Sequence, residues 1–420
     1  MSELRGHPDS PDPSPGADRP RPESAEFKQL ESLAELRTGE RKSYEPSDHA
    51  PPPRRDLPTE TQTFERPGLM AMGNRIKQAI TDRFGGGSDA EKLAEADDPR
   101  EVHEIQRPPY TKNYYTDLPN TVYDRYLVRD AKSPIPLFDG PASRDDVRQG
   151  TVGDCGVLAT LGAVAGHRPE LIRDAVSQVG ERTYEVTLHR VSPATPGDPV
   201  ARPTGDTVTY RVNDELPVRL DRSGAPPAAA KPEICAWPAL VEKALAGQDQ
   251  TWGPVRQMLW NQDWAMGARD GVDKQRLKAH EGPAPNDPPT GYDRLNVGST
   301  SLMRADLLTE LTGEEAEVRP IPSIHNGEQA LLDEFRDQLD DGKPVLVGSR
   351  GDKSNEPIPF AGHEFGHVYE VTDVSDGKIK LRNPWGDDFS PDPMDVKTFC
   401  EYFRNIYPDG SRGGFYTTLK

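Results

Sequence analysis

A chain of 420 residues has room for one to three domains, but 33% hydrophobic content and 43 prolines leave less core than that length allows, so part of it is expected to be disordered. The net charge of −19 argues against a polyanion such as nucleic acid as partner. Three scattered cysteines, Cys155, Cys235 and Cys400, are too few for a disulfide framework or a cysteine zinc knuckle, and free thiols suit a reducing compartment.

No cationic, apolar leader opens the chain, and the most apolar run, near Gly156 to Gly166, is too short to span a bilayer. The expectation is a soluble protein without a membrane span, cytoplasmic or exported by a route that needs no Sec-type signal peptide. Residues 1–65 carry Pro8, Pro11, Pro13, Pro15 and Pro51-Pro52-Pro53 among charged and small residues, which predicts a disordered arm. In residues 66–109, Leu69, Met72, Ile76, Ile80 and Phe84 fall near one helical face before Gly85-Gly86-Gly87, predicting an amphipathic helix and a linker. Such a helix can dock on the domain, plug a cleft as a pro-segment, or serve as an export or partner signal.

Aromatics increase from Tyr110, and Leu137-Phe138 precede the segment Gln149 to Ala159, QGTVGDCGVLA. Gly150 and Gly153 make a turn, Asp154 is an N-cap type residue, and Val157, Leu158, Leu161, Val164 and Ala165 recur at helical spacing. A helix is predicted to open at Cys155 and end at Gly166. Strands are predicted at 183–189 and 207–212 with a long loop between, then a helix over 234–246 that packs behind the cysteine helix through Trp237, Leu240, Val241 and Leu245. Residues 264–294 read as an inserted surface loop. Leu331, Phe335 and Leu339 mark a helix closed by Gly342, and Val345-Leu346-Val347 a buried strand. Strands at 368–372 and 378–382 flank Ser375-Asp376-Gly377, a hairpin turn. No internal repeat is present.

A thiol attacks amides as a thiolate, which needs an imidazole to take its proton and a positive end to hold the charge. Cys155 at a helix start has that setting. His367 precedes the first strand of the hairpin and Asn383 follows the second, so both lie at the hairpin's open end and can be neighbours. Asn383 can orient the His367 ring, and the Cys155 amide with the Gln149 side chain can donate to an oxyanion. Pro384 and Trp385 would fix and shield the pair. Cys235, in an apolar run, and Cys400, between Phe399 and Tyr402, read as core.

Together these segments resemble the calpain family of papain-type cysteine proteases, whose cysteine loop runs close to QGxxGDCW and whose later motifs run close to GHAYSV and RNPWG. Here they read QGTVGDCG, GHVYEV and RNPWG, joined by Asn213–Val218 (NDELPV), Trp237–Ala244 (WPALVEKA) and Leu311-Thr312-Gly313. The resemblance covers roughly residues 133–407. It implies an α+β, papain-like two-lobed core, with a cysteine-bearing helical lobe over 110–313 and a strand-rich lobe over 314–420. It also implies Cys155 as nucleophile, His367 as base then acid, Asn383 as orienting residue, Gln149 as oxyanion donor and Trp385 in support. Gly156 departs from the family, which has Trp there, and this removes a wall of the cleft. The layout resembles a bacterial, core-only member acting on protein or peptide substrates, with room for a proteinaceous inhibitor. The chemistry itself needs no cofactor; the resemblance admits Ca2+, but no twelve-residue calcium loop is present and no ligands are assigned.

Three other readings compete. Gly156 fits a non-catalytic calpain-like module that holds a peptide without cutting it. The same thiol chemistry can pass an acyl group to an amine. His363-Glu364-Phe365-Gly366-His367 spells HExxH, a zinc metalloprotease motif, but Gly362 before it, Gly366 within it and a strand at Val368 oppose the helix that motif requires.

Overall fold

In a computed structural model, the described residues are 102–105, 107–110, 122–125, 128–130 and 133–420, the last range excepting 196, 219–229, 232–233, 255, 259, 262–287, 322–327, 352–358 and 407–411. The arm over 1–65 and the amphipathic stretch over 69–84 lie outside them. The class is α+β, built on a large, mainly antiparallel sheet.

Its strands are β1 (Val102–Glu104), β2 (Val176–Gly180), β3 (Thr183–Ser192), β4 (Val200–Asn213), β5 (Ala316–Pro320), β6 (Val345–Gly348), β7 (Val368–Ser375), β8 (Lys378–Arg382), β9 (Met394–Asp395) and β10 (Phe415–Leu419). They lie side by side as β9-β8-β7-β6-β10-β5-β4-β3-β2, with β1 parallel to β4. The helices are α1 (Cys155–His167), α2 (Pro169–Ala175), α3 (Trp237–Gly247), α4 (Gly291–Asn296), α5 (Ser301–Thr312), α6 (Glu328–Asp340) and α7 (Val396–Tyr402).

Strand alternation divides the interior in two. Leu346 and Val368 face a first cluster with Leu158, Leu161, Trp237, Leu240 and Leu308. Val345, Val347, Tyr369 and Val371 face a second, with Phe335, Leu331, Phe399 and Phe403. So α1 and α5 cover one face of the β6–β7 region while α6 and α7 cover the other.

The hairpin forms as expected. Ser375 pairs with Lys378, and Asp376 and Gly377 take φ of 50° and 71°, the left-handed pair that a two-residue turn requires. Three expectations need correction. The segment between 189 and 207 is largely strand, because β3 and β4 extend past a register shift where Pro203 stands opposite Val191, the kind of site at which a missing N–H is tolerated. Of the surface loop expected over 264–294, residues 264–287 lie outside the described residues, and its end enters α4 (Gly291–Asn296), which is buried throughout. The stretch 66–109 is not linker to its end, since β1 adds to the sheet beside Thr209–Arg211.

The second cluster centres on Phe335, fully buried, with ring edges meeting Phe399 at 5.6 Å and Tyr416 at 5.3 Å. Phe335→Ala is expected to cost about 3–5 kcal/mol in a denaturant titration, through lost burial and the cavity left behind.

Candidate active site

Helix α1 is buried on every side from Cys155 to Ala165, so it is a central helix whose surroundings fix both its ends. Asp154 takes the N-cap position, but its side chain makes no capping bond, contrary to the usual role of that residue type. Its carboxyl is buried beside the Glu242 carboxyl of α3. Burial raises both, Asp154 to about 7, and two adjoining carboxyls favour sharing a proton over ionising together. That limits the negative charge beside the thiol.

Cys155 is 8% exposed, and burial pushes its thiol up to about 11. The backbone amide of Val368 hydrogen-bonds to it and, with the Arg304 charge and the Gly156 amide, pulls the other way, while Asp154 adds to the rise. The Cys155 thiol therefore meets the first residue of β7, directly after His367.

At that strand start, His367 Nε2 lies 3.0 Å from Asn383 Oδ1. The amide orientation follows from its other bonds: Nδ2 donates to Phe389 O at 3.1 Å, and Oδ1 also accepts from the Trp385 amide at 3.0 Å. Because Oδ1 only accepts, Nε2 carries the ring proton and Nδ1 is left as the basic nitrogen. Ser349 Oγ accepts from the His367 amide at 2.9 Å, and Ser390 Oγ accepts from the Asn383 amide at 2.9 Å, so both backbones are held by hydroxyls. The Trp385 ring covers the imidazole at 4.9 Å between centroids.

Gln149 is buried close by, its backbone amide donating to Pro384 O at 2.9 Å. Its side-chain Nε2 donates to Val152 O at 2.7 Å, which ties the cysteine loop internally, and the same amide lies against the Asp154 carboxyl and lowers it. The loop is pinned further by Asn296 at the end of α4, whose Oδ1 accepts from the Gly153 amide at 2.6 Å.

Buried charge docks α1 on the hairpin. Glu370 of β7 and Arg382 of β8 are register partners, and both point toward α1. Arg144 ion-pairs with Glu370 at 3.0 Å, and Arg382 Nη2 donates to Val147 O at 3.1 Å. His167, at the end of α1, is 3.9 Å from Glu370 but is lowered to about 4 by burial, then by Arg144 and Arg168, so it stays neutral at neutral pH.

Residues 361–362 and 365–366 form turns, with Gly362 and Gly366 at φ of 76° and 65°, so the helix needed by the zinc motif is absent over 363–367. The ring of His363 sits among Phe360, Phe365, Tyr402 and Phe403, away from the His367–Asn383 pair. Among the described residues, no group of three or more His, Cys, Asp or Glu is placed to hold a metal ion, and no helix is long and apolar enough to cross a membrane.

The motifs thus bring Cys155, His367, Asn383, Gln149 and Trp385 to one seam. The supporting residues Asn296, Ser349 and Ser390 lie outside those motifs and carried no sequence signal; Glu370 and Arg382 fall inside GHVYEV and RNPWG, where their facing positions across a predicted hairpin were the signal. No protein-family model matches the chain, and no curated protein matches it significantly.

Burial raises the Glu370 carboxyl from 4.5 to about 7. A raised acid favours folding below its unfolded value, and that contribution is lost as pH rises through the folded value. Relative to Glu370→Gln, the natural chain should therefore lose about 3 kcal/mol between pH 4.5 and 7 in urea titrations, and the His167 contribution, common to both, cancels.

Proposed function

We propose that this chain is a cysteine endopeptidase of calpain type with a papain-like, two-lobed core, cleaving protein or peptide substrates through an acyl-thioester on Cys155. The observation that carries the reading is the His367 Nε2–Asn383 Oδ1 bond of 3.0 Å, at the strand start whose next amide holds the Cys155 thiol. The Cys155 thiol on the Val368 amide, next in the chain to His367, supports the same reading.

In this reading His367 Nδ1 takes the thiol proton as Sγ attacks the substrate carbonyl carbon. The electron pair moves to the carbonyl oxygen, which accepts hydrogen bonds from the Cys155 amide and from the Gln149 side chain once it turns from Asp154. The C–N bond then breaks, and the leaving amine takes the proton from His367. Water attacks the thioester with His367 again as base, and Sγ leaves as the acid is released. Asn383 holds the imidazole in one tautomer without adding charge. A buried thiol near 11 is protonated at rest, so proton transfer to His367 accompanies attack.

That same burial, with Gly156 in place of a bulky residue, favours a second reading in which the cleft binds peptide without cutting it. A thiol-directed epoxide followed by peptide mapping, with an unfolded protein substrate assayed in parallel, separates the two. The protease reading expects Cys155 to label faster than Cys235 and Cys400 at neutral pH, and cleavage to vanish in Cys155→Ala. Equal labelling of the three cysteines and no cleavage, with peptide still bound, would favour the binding module. Asn383→Ala is expected to lower kcat roughly 100-fold with little change in KM, since it misplaces the base and leaves substrate contacts intact.

A further inference from the structure

Gly156, directly after the nucleophile, leaves no vacancy. A methyl group there would stand 1.8 Å from Ser299 Oγ, 3.0 Å from Ser299 Cβ and 3.5 Å from Arg304 Cδ. The volume a side chain would take is filled from α5 and the turn before it. Arg304, in the first turn or so of α5, is 5% exposed, and its Nη1 donates to Ser299 O at 3.0 Å, with Ser299 Oγ at 3.4 Å. On its far side Nη2 lies 3.8 Å from where a methyl on Gly348 would stand, and His367 O lies 4.0 Å from the same point. Two glycines, one beside the nucleophile and one beside the base, therefore flank the guanidinium.

We propose that Arg304, lodged in the space left by Gly156, supports the negative charge on the Cys155 sulfur during attack. The inference rests on the protease reading. An arginine stays protonated when buried, and a full charge in a water-poor site acts strongly on a thiolate nearby. The groups that bear on this sulfur are Asp154 and the Gly156 amide from its own turn, the Val368 amide of β7 beside His367, and Arg304 from α5, the cation among them. In this account Gly156 is a requirement, because any Cβ there would displace Ser299 and shift the guanidinium that Ser299 holds. Arg304 is a positioning residue in the electrostatic sense: it touches no reacting bond and acts through Cys155.

The test is the pH profile of Cys155 alkylation by iodoacetamide, a neutral reagent that the Arg304 charge does not attract, read by peptide mapping of the full chain. Arg304→Met should move the midpoint up by about one pH unit, so that labelling on the acid limb slows about 10-fold. Arg304→Lys should return most of that rate, a rescue that a packing role would not produce. Protection of Cys235 and Cys400 reports folding; should Arg304→Met expose them, Arg304→Gln carries the test, being neutral yet able to donate to Ser299 O. Selective labelling of Cys155 with an unchanged midpoint in the folded neutral variant overturns the inference and leaves the protease reading standing. Wild-type Cys155 labelling no faster than Cys235 or Cys400 at any pH overturns both.

Discussion

The site depends on one contact, between the N-terminus of the Cys155–His167 helix and the first residue of the Val368–Ser375 strand. The helix brings the Cys155 thiol, and the residue before the strand brings the His367 imidazole. The contact is held from behind by the facing pair Glu370 and Arg382, which reach Arg144 and the Val147 carbonyl, and from the loop side by the Gln149 amide on Pro384 O. Buried charges stabilise little on net, but breaking one of a pair leaves the other exposed to the full cost of burial, so they fix the register of the docking more than its strength.

Burial at this seam has two consequences. It shields the imidazole under Trp385 and strengthens each hydrogen bond there. It also opposes a free thiolate, since the Cys155 thiol sits near 11. The Val368 amide, the Arg304 charge and the Gly156 amide act against that penalty while Asp154 adds to it, so the thiol's surroundings balance desolvation against compensating polarity.

Much of this was legible in the sequence where the signal was local. The helix at Cys155, the Asp376-Gly377 turn and the closeness of His367 to Asn383 follow from periodicity, turn chemistry and hairpin geometry. What escaped depends on partners far along the chain. Gly291 to Arg294 reads as the end of a loop because Asp249, which accepts from the Gly291 amide and from Arg294, lies more than forty residues earlier. Pro203 and Gly205 read as loop because only the pairing with Val191 and its neighbours draws them into a strand. Gly156 reads as a gap in the cleft, although Ser299 and Arg304 fill it.

In the proposed function, Cys155, His367 and Asn383 act as one unit on an acyl group. The most direct measurement is intact mass after mixing with an activated peptide ester and quenching in acid within the first turnover. One acyl adduct per chain is expected, mapped to Cys155, absent from Cys155→Ala and formed more slowly in Asn383→Ala. Ester turnover with no adduct at Cys155, or with the adduct at Cys235 or Cys400, would contradict it.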